Sequence, residues 1–373
     1  MARLRRRQFL GLAGALVAAP AILRAAPAIV VTDMLGRTVT LKDAPQRIVL
    51  LEARDVITMA VLHPNPAKLI VGWAAADRFD SNAVQAAYVA SADRKIAIVG
   101  KQASDTISLE GLAAVQPDLV VTTPFMQASA NMALMIERLG QFGIPVLFSS
   151  SASNDSGSLR SSPIDELPHL MRMWGAVLDQ REKAEAFIAF SSSRYERVAQ
   201  RLGVLTPLKT YFEVMSTYDD CCWAAGTRVW GQLLAAAGGR SLDGISAPWT
   251  AQISLEHLLA EQPEVYIATG GGYAGGTRPA IGPGLDLQNA RNGLERLTRR
   301  VGFETLPAVR NRRVHGIWSG LISTPPLNPV FVEVAATWLH PEQCRDLDPA
   351  ATLADINRNF LSTPIAGPLW ASI

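Results

Sequence analysis

The chain has 373 residues, enough for two domains, and its 49% hydrophobic and 18% charged residues are those of a folded globular protein, not a disordered or fibrous one. Its formal charge is +2, but five arginines and no acid fall within residues 1–28, leaving 30 basic against 33 acidic residues, or −3, beyond them. That balance makes nucleic acid a poor partner.

Residues 1–28 read as a signal peptide. Arg5-Arg6-Arg7-Gln8-Phe9-Leu10 precedes an apolar run from Gly11 to Leu23, broken by Gly14 and Pro20 and closed by Arg24 and small residues. The run is too short to span a bilayer. Arg6-Arg7-x-Phe9-Leu10 resembles the twin-arginine export signal, with cleavage expected between Ala25 and Ala28. An ordinary secretory signal with an arginine-rich start is the plainer reading of the same residues. Because the first cysteine is Cys221, no lipobox is present, and the expected location is the periplasm, free of a lipid anchor.

Short apolar runs follow in chain order: Arg47 to Leu51, Lys68 to Trp73, Ile96 to Val99, Leu119 to Thr122 and Val146 to Phe148. Continuous apolar runs of this length suit strands buried inside a parallel sheet. Ser149 to Ser162 is serine-rich and predicts a loop, and Ile164 to Leu202 then carries apolar residues at helical spacing. The part from Arg181 to Leu202 would run roughly 33 Å as a helix. Strand-like runs resume at Thr210 to Met215, Val265 to Ala268 and Arg313 to Trp318, alternating with helical windows such as Phe331 to Leu339. The expected fold class is α/β: two Rossmann-like lobes, each an open, mostly parallel sheet with flanking helices, joined by a long rigid α-helix. The expected divisions are 29–162 for the first lobe, 163–203 for the helical linker and 204–373 for the second lobe.

An internal repeat supports the two lobes. Ile107-Ser108-Leu109-Glu110-Gly111-Leu112 to Asp118 recurs as Ile253-Ser254-Leu255-Glu256-His257-Leu258 to Glu264, at a constant offset of 146 residues. Each copy predicts a helix capped by serine, stopped by Pro117 or Pro263, and followed by a strand.

Asp33-x-x-Gly36-Arg37-x-Val39, then Pro45-Gln46-Arg47-Ile48-Val49-Leu50, the two Ser-Leu-Glu copies and the helix between them together resemble one family. It is the periplasmic substrate-binding proteins of ABC importers for ferric siderophores, haem and cobalamin. The resemblance runs from about Asp33 to about Leu339. It implies ligand capture between the lobes, limited hinge motion and delivery to an inner-membrane ABC permease. It also implies that Glu110 and Glu256, one per lobe, pair with arginines of the permease; the bland alternative is an acid favoured by the helix dipole in a first turn.

In open parallel sheets ligands sit beyond the carboxyl ends of the strands. That rule nominates Glu52, Arg54, Trp73, Arg78, Phe125 and Met126 in the first lobe, and Tyr218, Trp223, Arg228, Tyr273, Arg278 and Trp318 in the second. Arginine forks suit an anionic chelate, and tryptophan and tyrosine offer flat apolar faces with one polar edge. Trp73, Trp223 and Trp318 are favoured for loop placement. Gly270-Gly271-Gly272-Tyr273-Ala274-Gly275 matches a dinucleotide fingerprint, but Gly276-Thr277-Arg278-Pro279 continues it as loop, so a glycine rim that admits a ligand is the better reading.

The five histidines are scattered, and neither a metal-binding pair nor a nucleophile elbow occurs. Cys221, Cys222 and Cys344 are an odd set; a Cys222 to Cys344 bridge is open, and adjacent pairing would form a strained ring. The resulting expectation is a monomeric, non-enzymatic carrier of an iron chelate, a ferric siderophore foremost. It has no catalytic residues, no metal site of its own and no cofactor, iron being held by the chelator. Haem and cobalamin remain alternatives, with Tyr218 or Tyr273 as axial candidates for haem. An exported cofactor-dependent enzyme is the alternative of another class.

Overall fold

The computed structural model describes residues 28–101, 104–124, 130–149, 162–272 and 276–373. The signal-peptide expectation, most of the serine-rich loop, Phe125, Met126 and Tyr273 lie outside these residues.

The chain enters through a hairpin that hydrophobic periodicity did not mark, β1 (Ile29–Thr32) antiparallel to β2 (Thr38–Leu41). The Asp33-x-x-Gly36-Arg37 motif is its turn. Gly36 takes a positive φ of 77°, and the Asp33 carboxylate accepts from the N–H groups of Leu35 and Arg37 and from Arg37 Nε. Arg37 Nη2 donates to the Val146 carbonyl, and its guanidinium lies 4.4 Å over the Phe148 ring, which fastens the hairpin to the first sheet.

That sheet is wholly parallel and has five strands: β3 (Ile48–Leu50), β4 (Ile70–Ala74), β5 (Ala97–Gly100), β6 (Leu119–Thr122) and β7 (Val146–Phe148), in the order β5-β4-β3-β6-β7. Side chains alternate between faces. Ile48 and Leu50 join one apolar core, while Val49 and Leu51 join another with Leu112, Met135 and Leu139. Burial on both faces accounts for the unbroken apolar runs. Strand order reverses between β3 and β6, so a crevice opens at their carboxyl ends.

The second sheet is mixed. Here β8 (Leu208–Glu213), β10 (Gly239–Arg240), β12 (Val265–Gly270) and β13 (Val314–Trp318) are parallel, in the spatial order β10-β8-β12-β13. To these the antiparallel strands β9 (Trp223–Ala225), β11 (Thr250–Gln252) and β14 (Trp370–Ser372) are added. All three additions are only three residues long, too short to show a period.

Between the sheets the chain forms two helices, Pro163–Val177 and Arg181–Leu202. Ser162 caps the first, and the chain reverses around Asp179, which has a φ of 53°. The helices cross closely because Gly175 has no Cβ to meet that of Ala184. The shorter helix packs on β1 and on helix Asp55–Leu62 of the first lobe; the longer one packs on helix Asn328–Leu339 of the second. Ala184, Phe187, Ile188, Ser191, Tyr195 and Val198 form its buried stripe. One apolar core runs through both lobes and this connector. Such a joint resists bending because any large rotation would open that core to water.

Residues 341–373 complete the second lobe and also reach the first. Helix Pro349–Asn359 is followed by Phe360, which packs edge-on against Phe187 of the long helix at 5.0 Å. The Ser362 N–H donates to the Ala60 carbonyl, and β14 then pairs with β13. Cys221 and Cys222 are bonded to each other, and the Cys222 to Cys344 bridge left open from the sequence is not formed. Cys344 is free and buried, held in the turn after helix Asn328–Leu339, whereas Cys222 leads into β9.

Glu333 on helix Asn328–Leu339 is 1% exposed, and neither carboxylate oxygen has a hydrogen-bond partner among the described residues. Burial raises its pKa, against lesser opposing pulls from Thr352, Arg194 and Arg197. A carboxyl with a raised folded pKa stabilises the fold below its unfolded pKa, and that contribution is lost as pH rises towards the folded pKa. The expected result is that Glu333→Gln stabilises the protein by about 1 kcal/mol at pH 7 and has little effect at pH 4. Urea unfolding at the two pH values checks it; an equal change at both would remove the proton-linked explanation.

Candidate functional site

The carboxyl end of β3 holds a charged cluster. Glu52 follows the strand and Arg54 is the N-cap of helix Asp55–Leu62, so both are fixed at the carboxyl end of the sheet's central strand. Arg54 grips Glu52 with two bonds, Nε to Oε1 at 2.8 Å and Nη2 to Oε2 at 2.9 Å. Arg78, from the segment after β4, adds Nη1 to Oε2 at 2.9 Å. Burial disfavours the Glu52 charge, but the Arg54 and Arg78 guanidinium groups outweigh it and hold its pKa below the usual carboxylate value. Two guanidiniums thus meet on one carboxylate, and the next acid along the chain, the fully buried Asp55, accepts from Ser149 Oγ.

A second cluster joins the lobes at Asp80, two residues beyond Arg78. Its backbone carbonyl accepts from Trp318 Nε1 at 3.1 Å and from the Gly272 N–H at 2.9 Å. Its carboxylate accepts from Ser319 Oγ at 2.7 Å and pairs with Arg278 Nη2 at 3.0 Å. Ser81 Oγ donates to the Pro283 carbonyl beside it. These contacts close one side of the crevice. The glycine rim is therefore approached by the first lobe's own Asp80, whose carboxylate lies where a Cβ on Gly271 would fall.

Inside the second lobe a third cluster sits at the end of β8. Arg300 binds Glu213 through both terminal nitrogens, at 2.8 and 2.7 Å, and its Nη2 also donates to the Tyr266 hydroxyl at 2.7 Å. Tyr266 in turn donates to Glu213. Arg300 Nη1 reaches the carbonyls of Thr217 and Asp220, tying the β8–β9 loop to the sheet.

The nominated residues separate accordingly. Arg54 and Arg78 come together on Glu52, and Arg278 and Trp318 come together on Asp80. Tyr218 joins the latter pair's loop through its N–H to the Thr277 carbonyl, but Arg296 covers its ring at 4.0 Å. Trp223 is half-buried inside β9, and Arg228 is half-buried in the turn beyond it, with its N–H on the Pro248 carbonyl. The loop placement expected for the tryptophans is corrected. Trp73 lies within β4, 1% exposed and packed against Phe79, because β4 runs one residue beyond it. Trp318 ends β13 at 0% exposure, with its one polar atom committed to Asp80. Sequence reading passed over Asp80, Ser319, Glu213, Tyr266 and Arg300. Asp80 and Ser319 fall just past residues that the strand-end rule did select, whereas Arg300 has no strand end to mark it.

Glu110 and Glu256 are both exposed. Each stands second in a helix whose serine cap accepts from the residue three ahead, Ser108 from Gly111 N–H at 2.8 Å and Ser254 from His257 N–H at 3.1 Å. The Glu256 pKa is lowered, first by its own backbone N–H and then by Ser254. Among the described residues no group of three or more His, Cys, Asp or Glu is placed to hold a metal ion, and no helix is long and apolar enough to cross a membrane.

Two α/β lobes on a helical connector, with charged groups gathered at the strand ends, define a bilobal solute-binding protein. A family model of periplasmic binding proteins matches residues 59–319, well over half the chain, and the chain belongs to that family. The membership sets aside the exported enzyme, since these proteins bind solutes. The vitamin B12-binding protein of Vibrio parahaemolyticus is 24% identical over 159 residues, 43% of this chain and 52% of that protein. The chain thus spans about half the length of that relative. The molybdate-binding protein MolA of Haemophilus influenzae is 24% identical over 252 residues, 64% of this chain and 68% of MolA. Among solved structures, the TroA-like periplasmic binding protein FepB of Veillonella parvula has a TM-score of 0.76 at 22% identity, covering 92% of this chain and 99% of that one. A protein of the Fe3+-hydroxamate transport system of Saccharomonospora viridis has a TM-score of 0.59 at 21% identity, covering 83% and 98%. At these identities the likeness is one of fold.

Proposed function

We propose that the protein captures an anionic metal chelate, a ferric siderophore foremost, at the strand ends between its lobes and hands it to an inner-membrane ABC permease. The observation that carries this reading is the meeting of two guanidinium groups, Arg54 and Arg78, on Glu52 at the carboxyl end of β3. Guanidinium forks gathered at the strand ends suit a ligand that brings negative charge. Arg228 and Arg278 are the guanidinium groups proposed to reach the ligand from the second lobe, and Phe125, Met126 and Tyr273 belong to the same proposed set. Iron arrives and leaves inside the chelator, so no resident cofactor is needed. The protein works as an exported monomer in the periplasm, with Glu110 and Glu256 as its docking acids.

The similarity to MolA and to vitamin B12-binding proteins supports second readings, molybdate and cobalamin. Haem is less well served. Tyr218, its described axial candidate, has the Arg296 guanidinium 4.0 Å over its ring, which hinders a flat macrocycle from reaching it. Intrinsic tryptophan fluorescence titrated with ferric hydroxamates, ferric catecholates, haemin, cobalamin and molybdate tests the proposal. A saturable response to a ferric chelate is expected. A response to cobalamin or haemin alone would overturn it.

A further inference from the structure

The contact between Asp80 and Arg278 is incomplete in an informative way. Arg278 uses Nη2 on the Asp80 carboxylate at 3.0 Å, while its Nε is buried and has no acceptor among the described residues. The two nitrogens belong to one planar fork that suits an anion with two oxygens. Asp80 satisfies only half of it, because the single oxygen Oδ2 takes both Arg278 Nη2 and Ser319 Oγ. A buried donor left without an acceptor is unfavourable, so the fork is better matched by another occupant. The surroundings also suit an oxyanion. A Cβ on Gly271 would fall on the Asp80 carboxylate, so the floor beneath that carboxylate is bare backbone. Asp80 itself is held at a φ of 50°, a left-handed conformation unusual for a residue other than glycine.

We propose that Arg278 and Ser319, above the side-chain-free Gly271, form an oxyanion receptor on the second lobe, in which the Asp80 carboxylate is a built-in placeholder that a ligand oxyanion displaces. This rests on reading the crevice as the ligand site. The ligand group is a carboxylate or tetrahedral oxyanion able to bridge Arg278 Nε and Nη2. In the ligand-free protein Asp80 neutralises the guanidinium and links the lobes; on binding, the exchange transfers Arg278 to the ligand and frees the Asp80 side chain. The placeholder lowers apparent affinity by the fraction of time it fills the receptor.

The test uses molybdate as a tetrahedral probe and citrate as a carboxylate probe, each titrated by calorimetry into wild type, Asp80→Asn, Arg278→Gln and the double variant. Asp80→Asn should bind at least one probe about tenfold more tightly than wild type, as expected if the placeholder is in place about nine-tenths of the time. Arg278→Gln should abolish that gain in the double variant. Unchanged or weaker binding by Asp80→Asn, a gain that survives without Arg278, or no binding of either probe to any form would overturn the proposal. Crystals of the wild-type protein soaked with the binding probe give a readout that needs no variant to fold. An anion on the Arg278 fork with Asp80 displaced supports the exchange, and an anion elsewhere with Asp80 still on Arg278 refutes it. Failure of every ferric chelate to bind would remove the siderophore reading alone, since these probes carry no iron.

Discussion

Reversing both docking acids, Glu110→Arg with Glu256→Arg, should reduce uptake to the level of cells lacking the protein while leaving ligand affinity within about twofold of wild type. The expectation follows from placement. Both acids are exposed at the second position of equivalent serine-capped helices, one in each lobe, and neither belongs to the Glu52 or Asp80 clusters. The helix dipole would explain an acid at each position separately, but it does not predict that the two act together in transport. Like charges placed against arginines of a permease repel and slow the encounter, an effect that salt should partly relieve. Either single reversal should give an intermediate loss. Transport of labelled ferric chelate and fluorescence titration of the purified variant check the two halves. Unimpaired uptake, or a loss of ligand affinity that parallels it, would remove the docking assignment.

Replacing Arg300 by Met should destabilise the protein by about 3–5 kcal/mol, a large part of the 5–15 kcal/mol of an ordinary domain. Glu213 is 0% exposed, and Arg300 supplies two of its hydrogen bonds; removing the guanidinium leaves a buried carboxylate with only the Tyr266 hydroxyl. Burial opposes the charge on Arg300, but Tyr266, Glu213 and Tyr211 outweigh it and raise its pKa above the usual value, so it stays charged at every working pH. Arg300→Lys keeps the charge but loses the fork and should fall between. The double variant Glu213→Gln/Arg300→Met should recover much of the loss because no unpaired charge remains buried. Urea unfolding midpoints measure all three. An effect of Arg300→Met below about 0.5 kcal/mol, the range of ordinary surface substitutions, would mean that the pair does not hold the β8–β9 loop to the sheet.

The legible parts of the fold were those whose information is local. Leu119 to Thr122 and Val146 to Phe148 read as strands because burial on both faces makes each residue apolar, and the repeat helices read from their caps and prolines. The hairpin β1–β2 was harder, since Val30 faces solvent at 58% exposure while Val31 is 1% exposed, a half-buried pattern only four residues long. The connector segment read as helical, with Arg181 to Leu202 set off as its second part, but how closely its two helices cross depends on Gly175 meeting Ala184. At the crevice, residue type alone picked out Arg54, Arg78 and Arg278 as anion-binding groups. It could not show that Glu52 and Asp80 already answer them.

Sequence alone determined the two-lobed α/β plan, the matched acids Glu110 and Glu256, and the placement of arginines after strand ends, because periodicity, capping and repetition act within a few residues or repeat in register. Tertiary structure decided which charges are spent on each other and which aromatic faces are covered. Ser319 meets Asp80 across 239 residues of chain, and Arg300 meets Glu213 across 87. Contacts of that kind depend on where whole lobes and sheets come to rest, a sum of many weak packing terms that no local pattern carries.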